Sequence, residues 1–496
     1  MNFLNKIFHL NDKQASLKTE IIGGIVTFIA MIYILPVNAA IMSDMGMNSQ
    51  GVFAITAIVS CVVTLIMGIV ANFPVVLSAG MGLNAFLVYT LSESMGFQSW
   101  QQKMILLTIS GIIFFIFSLT PLRRIIIEAI PKDIRYIISA CLGAFIAFVG
   151  LKGSGIIVAS SSTLVTMGNF ANLGMLIAFI SIVVCFGLMF FKNQIVSSLA
   201  IPIAILFAAI AGVITSSVMI ANGQIGDISG VGAGVYVYTT GIEAIDSNAM
   251  TLPIAPWISH PTWGASGLED VLFFGALSGN YNGQQFVSDL GYIFTLPATY
   301  VAIFSLLFVS LFDKTATLIA VGEKTGMIDE NGKMQNYRKA VLADATGGLI
   351  CGPLGTSAVT PFAESNIGVS LGAKTGFSAC IAAILFLLSA FIYPVFSIFT
   401  AGSVTAAALM CVGALILVSS IKGLNLKDPI VPFVAVVGIL FSILTYSIAN
   451  GIGVSLLVYV VAMLIAGRGK EIKLPIYIIA ALFVVSFALN AVITLI

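Results

Sequence analysis

Charge is what this sequence has least of. Asp, Glu, Lys and Arg make up only 8 % of its 496 residues, against about 25 % in an ordinary water-soluble domain. So little polar sequence cannot clothe a soluble protein of this size. The net charge is +1, which argues for no nucleic-acid partner. Histidine is nearly absent: only His9, near the N-terminus, and His260, in a later polar connection. The six cysteines, Cys61, Cys141, Cys185, Cys351, Cys380 and Cys411, lie singly in apolar stretches without metal-ligand spacing, and read as small packing residues. A metal-dependent enzyme would need a His/Asp cluster that is not there, so no metal, no cofactor and no enzymatic chemistry is expected. GGLICGPLG is followed by no GK[ST], which makes it a helix-packing stretch and not a phosphate loop. DENGK at 329–333 is a turn with too few ligands for calcium. No cleavable signal-peptide signature opens the chain, so the first long apolar run after MNFLNKIFHLNDKQASLKTE is read as a span.

What the sequence does contain is apolar length. It is 59 % hydrophobic, with a mean hydropathy of +1.11. Runs near the roughly 20 residues needed to cross a bilayer recur along it, at about 21–42, 51–71, 102–120, 134–151, 172–191 and 194–216, then 292–320, 338–352, 375–398, 404–420, 429–448, 452–466 and 474–495. The expected fold class is an all-α polytopic membrane protein. Two further stretches, 74–91 (most of ANFPVVLSAGMGLNAFLVYT, which begins at residue 71) and 353–370 (PLGTSAVTPFAESNIGVS), are apolar but punctuated by Gly, Pro, Ser and Thr. Such interruptions free backbone groups, and these are tolerated at membrane depth only inside the protein or against a cavity.

Counting each interrupted stretch as one crossing puts most basic residues on one side: Lys6, Lys13 and Lys18; Arg123, Arg124, Lys132 and Arg135; Lys192; Lys324, Lys333, Arg338 and Lys339; Lys374; Lys422 and Lys427; Arg468, Lys470 and Lys473. That side is expected to be cytoplasmic. The stretch 217–291 holds no Lys or Arg but does hold Asp227, Glu243, Asp246, Glu269, Asp270 and Asp289, and falls outside. The organisation read from this is a cytoplasmic tail at 1–18, a first repeat at 19–216, an extracytoplasmic loop region at 217–291 and a second repeat at 292–496. The literal count of crossings is odd, and one of the last three segments is left open as partial or surface-lying.

The interrupted stretches occupy matching positions in the two halves, the best sequence pointer to a transporter's binding site. With an odd number of crossings per repeat the halves are inverted and the two stretches meet near the midplane. Asn84 is the one amide of its stretch; it can read a heterocycle edge or simply bond helix to helix. Glu364 is a carboxylate at membrane depth, either a site acid or a structural one satisfied by Thr356, Ser357, Thr360, Ser365 and Asn366. Asp313, in FVSLFDKTATLIAVG, forms a second acid with Thr317 one turn on. Burial favours the protonated form of a carboxylate, so such a pair can bind and release a proton, and a carboxylate can accept from adjacent heterocycle N–H groups. Lys314 has three readings: it snorkels to the cytoplasmic face, it neutralises Asp313 or Glu364, or it touches the solute.

On TEIIGGIVTFIAMIYILPVNAAIMSDMG, ANFPVVLSAGMGLNAF, LTPLRRIIIEAIP, FDKTATLIAVGEKTGM, ADATGGLICGPLGTSAVTPFAES and YSIANGIGVSLLVYVV, the chain resembles the AzgA-type purine nucleobase permeases, relatives of the xanthine/uracil permeases. These pieces span nearly the whole chain in order, 217–291 excepted. The resemblance implies 14 membrane segments as two inverted repeats of seven. A core domain would come from segments near 20–120 and 292–398, and a gate domain from segments near 134–216 and 404–496. The third and tenth segments would each combine a short strand with a half helix. It implies import of a purine base (adenine, guanine, hypoxanthine or xanthine) by proton symport and alternating access in the plasma membrane, with the N-terminus cytoplasmic, and it admits a homodimer. Asn84, Asp313 and Glu364 match its substrate and proton-coupling positions, with Thr356, Ser357 and Thr360 completing the site. The chain departs where the family reads VDLFDTVGTL: it has VSLFDKTATL, with Ser310, Lys314 and Ala316 among the changed positions. Ala316 narrows the site by a methyl group, and Lys314 is the candidate modulator of coupling. An anion or other small-solute transporter of the same fold, uncoupled through Lys314, is the alternative.

Overall fold

The computed structural model describes residues 2–11, 15–91, 96–120, 131–193, 196–197, 199–221, 268–279, 281–325, 327, 336–393, 396, 399 and 402–495. Helices dominate it. Six are long and apolar enough to cross a membrane: Leu17–Ser43, Ser49–Val70, Trp100–Leu119, Lys132–Gly153, Ser403–Gly423 and Ile448–Ile465. A seventh is added if Gly283–Thr295 and Ala298–Leu311, bent by 91° at their junction, are taken as one span. Shorter apolar helices at Leu173–Met189, Gly376–Ser389 and Ile430–Leu444 fall on other runs expected from hydropathy. The protein is therefore a multi-pass helical membrane protein.

The elements that position the site need labels. Helix α1 is Leu17–Met31 and α2 is Ile34–Ser43; they form one span interrupted at Ile32 and Tyr33. Pro36 explains the break, since its ring leaves no N–H for the Ile32 carbonyl and collides with it. Helix α3 is Ser49–Val70, strand β1 is Leu77–Ala79 and α4 is Met81–Ala85, which runs on as a π-helical turn over Phe86–Thr90. Helix α5 is Trp100–Leu119, α6 is Lys132–Gly153, α7 is Leu173–Met189 and α8 is Ala200–Ala221. In the second half α9 is Pro297–Lys324, α10 is Tyr337–Leu354, β2 is Val359–Pro361 and α11 is Ser365–Ser370. Helix α12 is Gly376–Ser389, α13 is Gly402–Gly423, α14 is Ile430–Leu444, α15 is Ile448–Ile465 and α16 is Leu474–Leu495. An exposed hairpin, Ile157–Ser160 with Leu164–Met167, was not expected from the sequence.

Packing links the two halves in a reciprocal way. Helix α3 lies on α12 while α5 lies on α10, and α6 packs along α13, with α7 also on α13 and α14 on α6. Glycine sets two of these approaches. A Cβ on Gly111 of α5 would strike the Gly348 carbonyl of α10. Gly143 of α6 and Gly413 of α13 face each other in the same way, each Cβ meeting the other's carbonyl, at 2.7 Å for Gly143. Small residues let apolar helices approach closely where lipid supplies no hydrophobic drive.

Glu20, buried in α1, caps α12. It accepts backbone N–H bonds from Lys374 at 2.7 Å, Thr375 at 3.0 Å and Ser378 at 3.2 Å. A carboxylate at a helix N-terminus satisfies orphan amides and complements the dipole.

Candidate functional site

The two interrupted stretches do meet. Strand β1 pairs antiparallel with β2, Leu77 opposite Pro361, Ser78 opposite Thr360 and Ala79 opposite Val359. Gly80 N–H donates to the Ala358 carbonyl at 2.9 Å and Phe362 N–H to the Val76 carbonyl at 3.0 Å. Side chains complete the unwound backbone: Leu77 N–H donates to Thr64 Oγ1 at 3.0 Å and Val76 N–H to Ser365 Oγ at 3.0 Å. This is how non-helical backbone survives in the interior of a membrane protein. Gly355 makes the approach to β2 possible. It ends α10 at φ 84°, a left-handed stop that suits glycine.

Beside the strand crossing lies a cavity of about 520 Å³, inside the ~300–1,000 Å³ range of small-molecule sites. Gly80, Gly82, Thr360 and Glu364 line it from the two broken stretches, Thr317 from α9, and Leu142, Ile146, Val412 and Ile416 from α6 and α13. Most of its wall is apolar, and Glu364 supplies a carboxylate. Glu364 occupies the turn between β2 and α11 and is partly exposed. Buried Tyr33, at the break between α1 and α2, donates its hydroxyl to Glu364 Oε1 at 2.8 Å.

Asn84, Thr356 and Ser357 stand elsewhere than on this wall. They share a buried network centred on Asn38 of α2. Asn38 Oδ1 accepts from Asn84 Nδ2 at 3.0 Å and from Ser357 Oγ at 3.0 Å. Its Nδ2 donates to Thr56 Oγ1 at 2.9 Å and Thr356 Oγ1 at 3.3 Å. The Thr56 and Thr356 hydroxyls also meet at 2.7 Å. The geometry gives Asn84 the helix-to-helix bond, and Thr360 and Glu364 the cavity. Asp313 and Ala316 belong to α9; their side chains lie outside the described residues, and so does 222–267 of the acidic loop.

Lys314 neither snorkels nor joins Glu364. It is 1 % exposed, and its Nζ lies 3.3 Å from Oδ1 of Asp344, which is 0 % exposed. Asp344 lies on α10, and the ammonium also faces the Phe114 ring of α5 at 4.6 Å. The alternative of an anion carrier drawn to Lys314 loses its cation to Asp344.

The sequence matches the Permease family (Xan_ur_permease) over residues 18–429. The chain belongs to the Permease family. The permease is 33 % identical over 482 residues to guanine/hypoxanthine permease PbuO of Bacillus subtilis, covering 96 % of this chain and 98 % of that one. It is 32 % identical over 486 residues to adenine permease AdeQ of Escherichia coli, covering 98 % and 96 %. Among solved structures it resembles the transmembrane domain of a cyanobacterium bicarbonate transporter, BicA, with a TM-score of 0.55 at 13 % identity, covering 88 % of this chain and 97 % of that one. At that identity the likeness concerns the fold alone. The permease is a transport protein, not an enzyme.

Three residues that matter in the permease were passed over in the sequence. Asp344 lies inside the apolar segment expected at 338–352 and carries the same signal that singled out Asp313, an acid at membrane depth. Asn38, inside 21–42, carries the signal that singled out Asn84. Tyr33 had no such mark, because an apolar span accommodates a tyrosine anywhere along it.

Proposed function

We propose that the permease imports purine nucleobases by proton symport, with the base held against Glu364 in the cavity beside the β1–β2 crossing. The observation that carries this is the joint wall: backbone and side chains from both interrupted stretches, one carboxylate, and a surrounding apolar surface that suits a flat ring. Relatives whose names specify guanine, hypoxanthine and adenine cover nearly the whole chain, which supports the purine class. In this reading Glu364 and Asp313 bind the base and carry the proton, and Thr360 is a further contact. Ala316 trims the space on α9. Asn84, Thr356 and Ser357 act through Asn38 by holding the strand crossing in place.

In this reading access alternates as one group of helices moves against the other. We assign the segments near 20–120 and 292–398 to a core, and those near 134–216 and 404–496 to a gate, within 14 segments in two inverted repeats. The cavity runs from the strand crossing towards Met189, Ser197 and Ser370, which are near the basic residues Lys192 and Lys374 along the chain. At the opposite end Tyr446 packs on Tyr89 at 5.6 Å and Phe145 at 5.4 Å, with Lys152 Nζ 4.2 Å above its ring. Tyr89 and Phe145 come from the two groups, so this aromatic contact is the closed side of an inward-open state, with the N-terminus cytoplasmic.

The test is uptake of radiolabelled hypoxanthine in cells lacking their own carriers, challenged with unlabelled adenine, guanine, xanthine and uracil, with and without a protonophore. Competition by purines and collapse with the protonophore are expected. Failure of every purine to compete overturns the substrate class, and uptake indifferent to the protonophore overturns the coupling. Two variants belong with this assay. Asp313→Asn is expected to cut the rate severalfold and flatten its dependence on external pH; an unchanged pH profile at normal rate removes Asp313 from coupling. Tyr33→Phe removes a hydrogen bond to an ionisable group, worth about 1.5–3 kcal/mol, so KM is expected to rise about tenfold or more. Equal KM in Tyr33→Phe would show that Glu364 needs no help to face the base.

A further inference from the structure

Helix α6 runs out of the cavity wall towards the end away from Ser370. Leu142 and Ile146 line the cavity, and Phe148 and Lys152 follow on later turns. Leu142 is seated on Gly82 of the first broken stretch, where a Cβ would strike it. Beyond that contact Tyr446 meets three rings, Phe145 at 5.4 Å, Tyr89 at 5.6 Å and Phe148 at 5.9 Å. Tyr89 belongs to the core group and the other three to the gate group.

Both tyrosines sit on irregular backbone. Tyr89 lies in the π-helical turn Phe86–Thr90. Tyr446, between α14 and α15, has φ 51°, a left-handed conformation that a bulky aromatic residue rarely adopts. Such departures collect at switch regions, where the surroundings hold a costly geometry in place. Here one exposed charge holds each ring. Asp44, at the end of α2, accepts the Tyr89 hydroxyl at 2.6 Å, the length of a charge-assisted bond. Lys152 Nζ lies 4.2 Å above the Tyr446 ring, whose negative face attracts a cation. Asp44 and Lys152 carry opposite signs on the two sides of the seam, so their attraction acts in the same sense as the ring contact.

We infer that Asp44 and Lys152 are positioning residues of an external latch, each fixing one tyrosine of the Tyr89–Tyr446 contact that shuts the cavity from outside. The inference rests on the core and gate grouping and the inward-open state proposed above, and on nothing about the solute. Removing either charge frees a ring, weakens the seam and shifts the population towards the outward-open state, while the cavity wall and Glu364 stay as they are.

The experiment uses the full chain in intact cells and in inverted vesicles, with a membrane-impermeant thiol reagent as the probe and Ala363→Cys as the reporter. Ala363 is exposed on the cavity wall beside Glu364, and the six native cysteines are buried and set the background. The reporter chain is expected to label faster in inverted vesicles than in intact cells; the reverse overturns the inference together with the inward-open reading. Added to the reporter, Asp44→Ala, Tyr89→Phe and Lys152→Gln are each expected to raise the external labelling rate about threefold or more without raising the internal one. Asp44→Ala combined with Tyr89→Phe is expected to do no more than either alone, because both break one bond. Unchanged external rates in all three, with the reporter still labelled faster from the cytoplasmic side, overturn the latch and leave the inward-open reading standing. A rise from both sides alike is general loosening and also overturns the latch. If one variant is not recovered in the membrane, the other two carry the same test. The readout needs no substrate, so a failure of purine uptake leaves it intact, and a failure of the latch leaves the purine reading untouched.

Discussion

Glu364→Gln is expected to reach the membrane in normal amount and to take up labelled purine at a rate reduced by about 100-fold or more. The size of the loss follows from what the carboxylate does and the amide cannot. Tyr33 occupies Oε1 at 2.8 Å, which orients the group; in the proposed site Oε2 then faces an N–H of the base. Glutamine has one acceptor and one NH₂ in those places. With the acceptor on Tyr33 it presents a donor to a donor, and a site built to hydrogen-bond its substrate discriminates strongly when one partner is left unpaired, by about 10⁴–10⁵ in favourable cases. Gln also carries no proton, so the coupled step is lost even if some binding survives. Glu364→Asp keeps the charge but withdraws it by one methylene, and is expected to retain partial uptake with a raised KM. Surface expression is checked alongside. Full uptake by Glu364→Gln at every external pH would remove this carboxylate from both binding and coupling.

Asn38→Leu is the second large effect, and it is an effect on folding. One buried amide serves four partners, Asn84, Ser357, Thr56 and Thr356, at 2.9–3.3 Å. Leucine matches the volume and satisfies none of them. Interhelical hydrogen bonds in membrane proteins average only about 0.6 kcal/mol, so four of them set a floor of about 2 kcal/mol. A polar group left unpaired inside the protein costs about 1–3 kcal/mol. Thr56 and Thr356 can still pair with each other, which leaves Asn84 and Ser357 as the orphans. A loss of about 2–5 kcal/mol is therefore expected, read as a marked fall in Tm and in the monodisperse yield from detergent. Asn38→Asp, which keeps the acceptor, should lose less provided the carboxyl is protonated there. An unchanged Tm in Asn38→Leu would mean that the two broken stretches are held by their strand pairing alone.

The membrane character and most of the spans were legible in the sequence because the requirement is local: about 20 apolar residues must follow one another to hide a helical backbone from lipid. The interrupted stretches were legible for the opposite reason. Pro74, Gly80 and Gly82, and Pro353 and Gly355, puncture otherwise apolar runs at matching places. That they pair as β1 and β2 extends the expectation of a short strand in each. The side-chain partnerships were not legible. Lys314 was weighed against Asp313 and Glu364 because those acids stood out, and the structure gives it to Asp344. Asn84 was weighed both as a reader of the solute and as a helix-to-helix bond, and only the fold shows that its Nδ2 meets Asn38. Tyr33 and Glu364, 331 residues apart, meet only in the folded chain.

The order of residues along the chain already fixes a membrane location, one broken stretch in each half, and acids retained at membrane depth. Each of these depends on residues that are neighbours along the chain. Which polar groups face one another and which face the cavity depends on how the helices pack. The helices here are apolar on nearly every side, so their residue pattern carries no periodic signal of rotation. Without the rotation of each helix, no spacing in the sequence can say which acid a lysine meets.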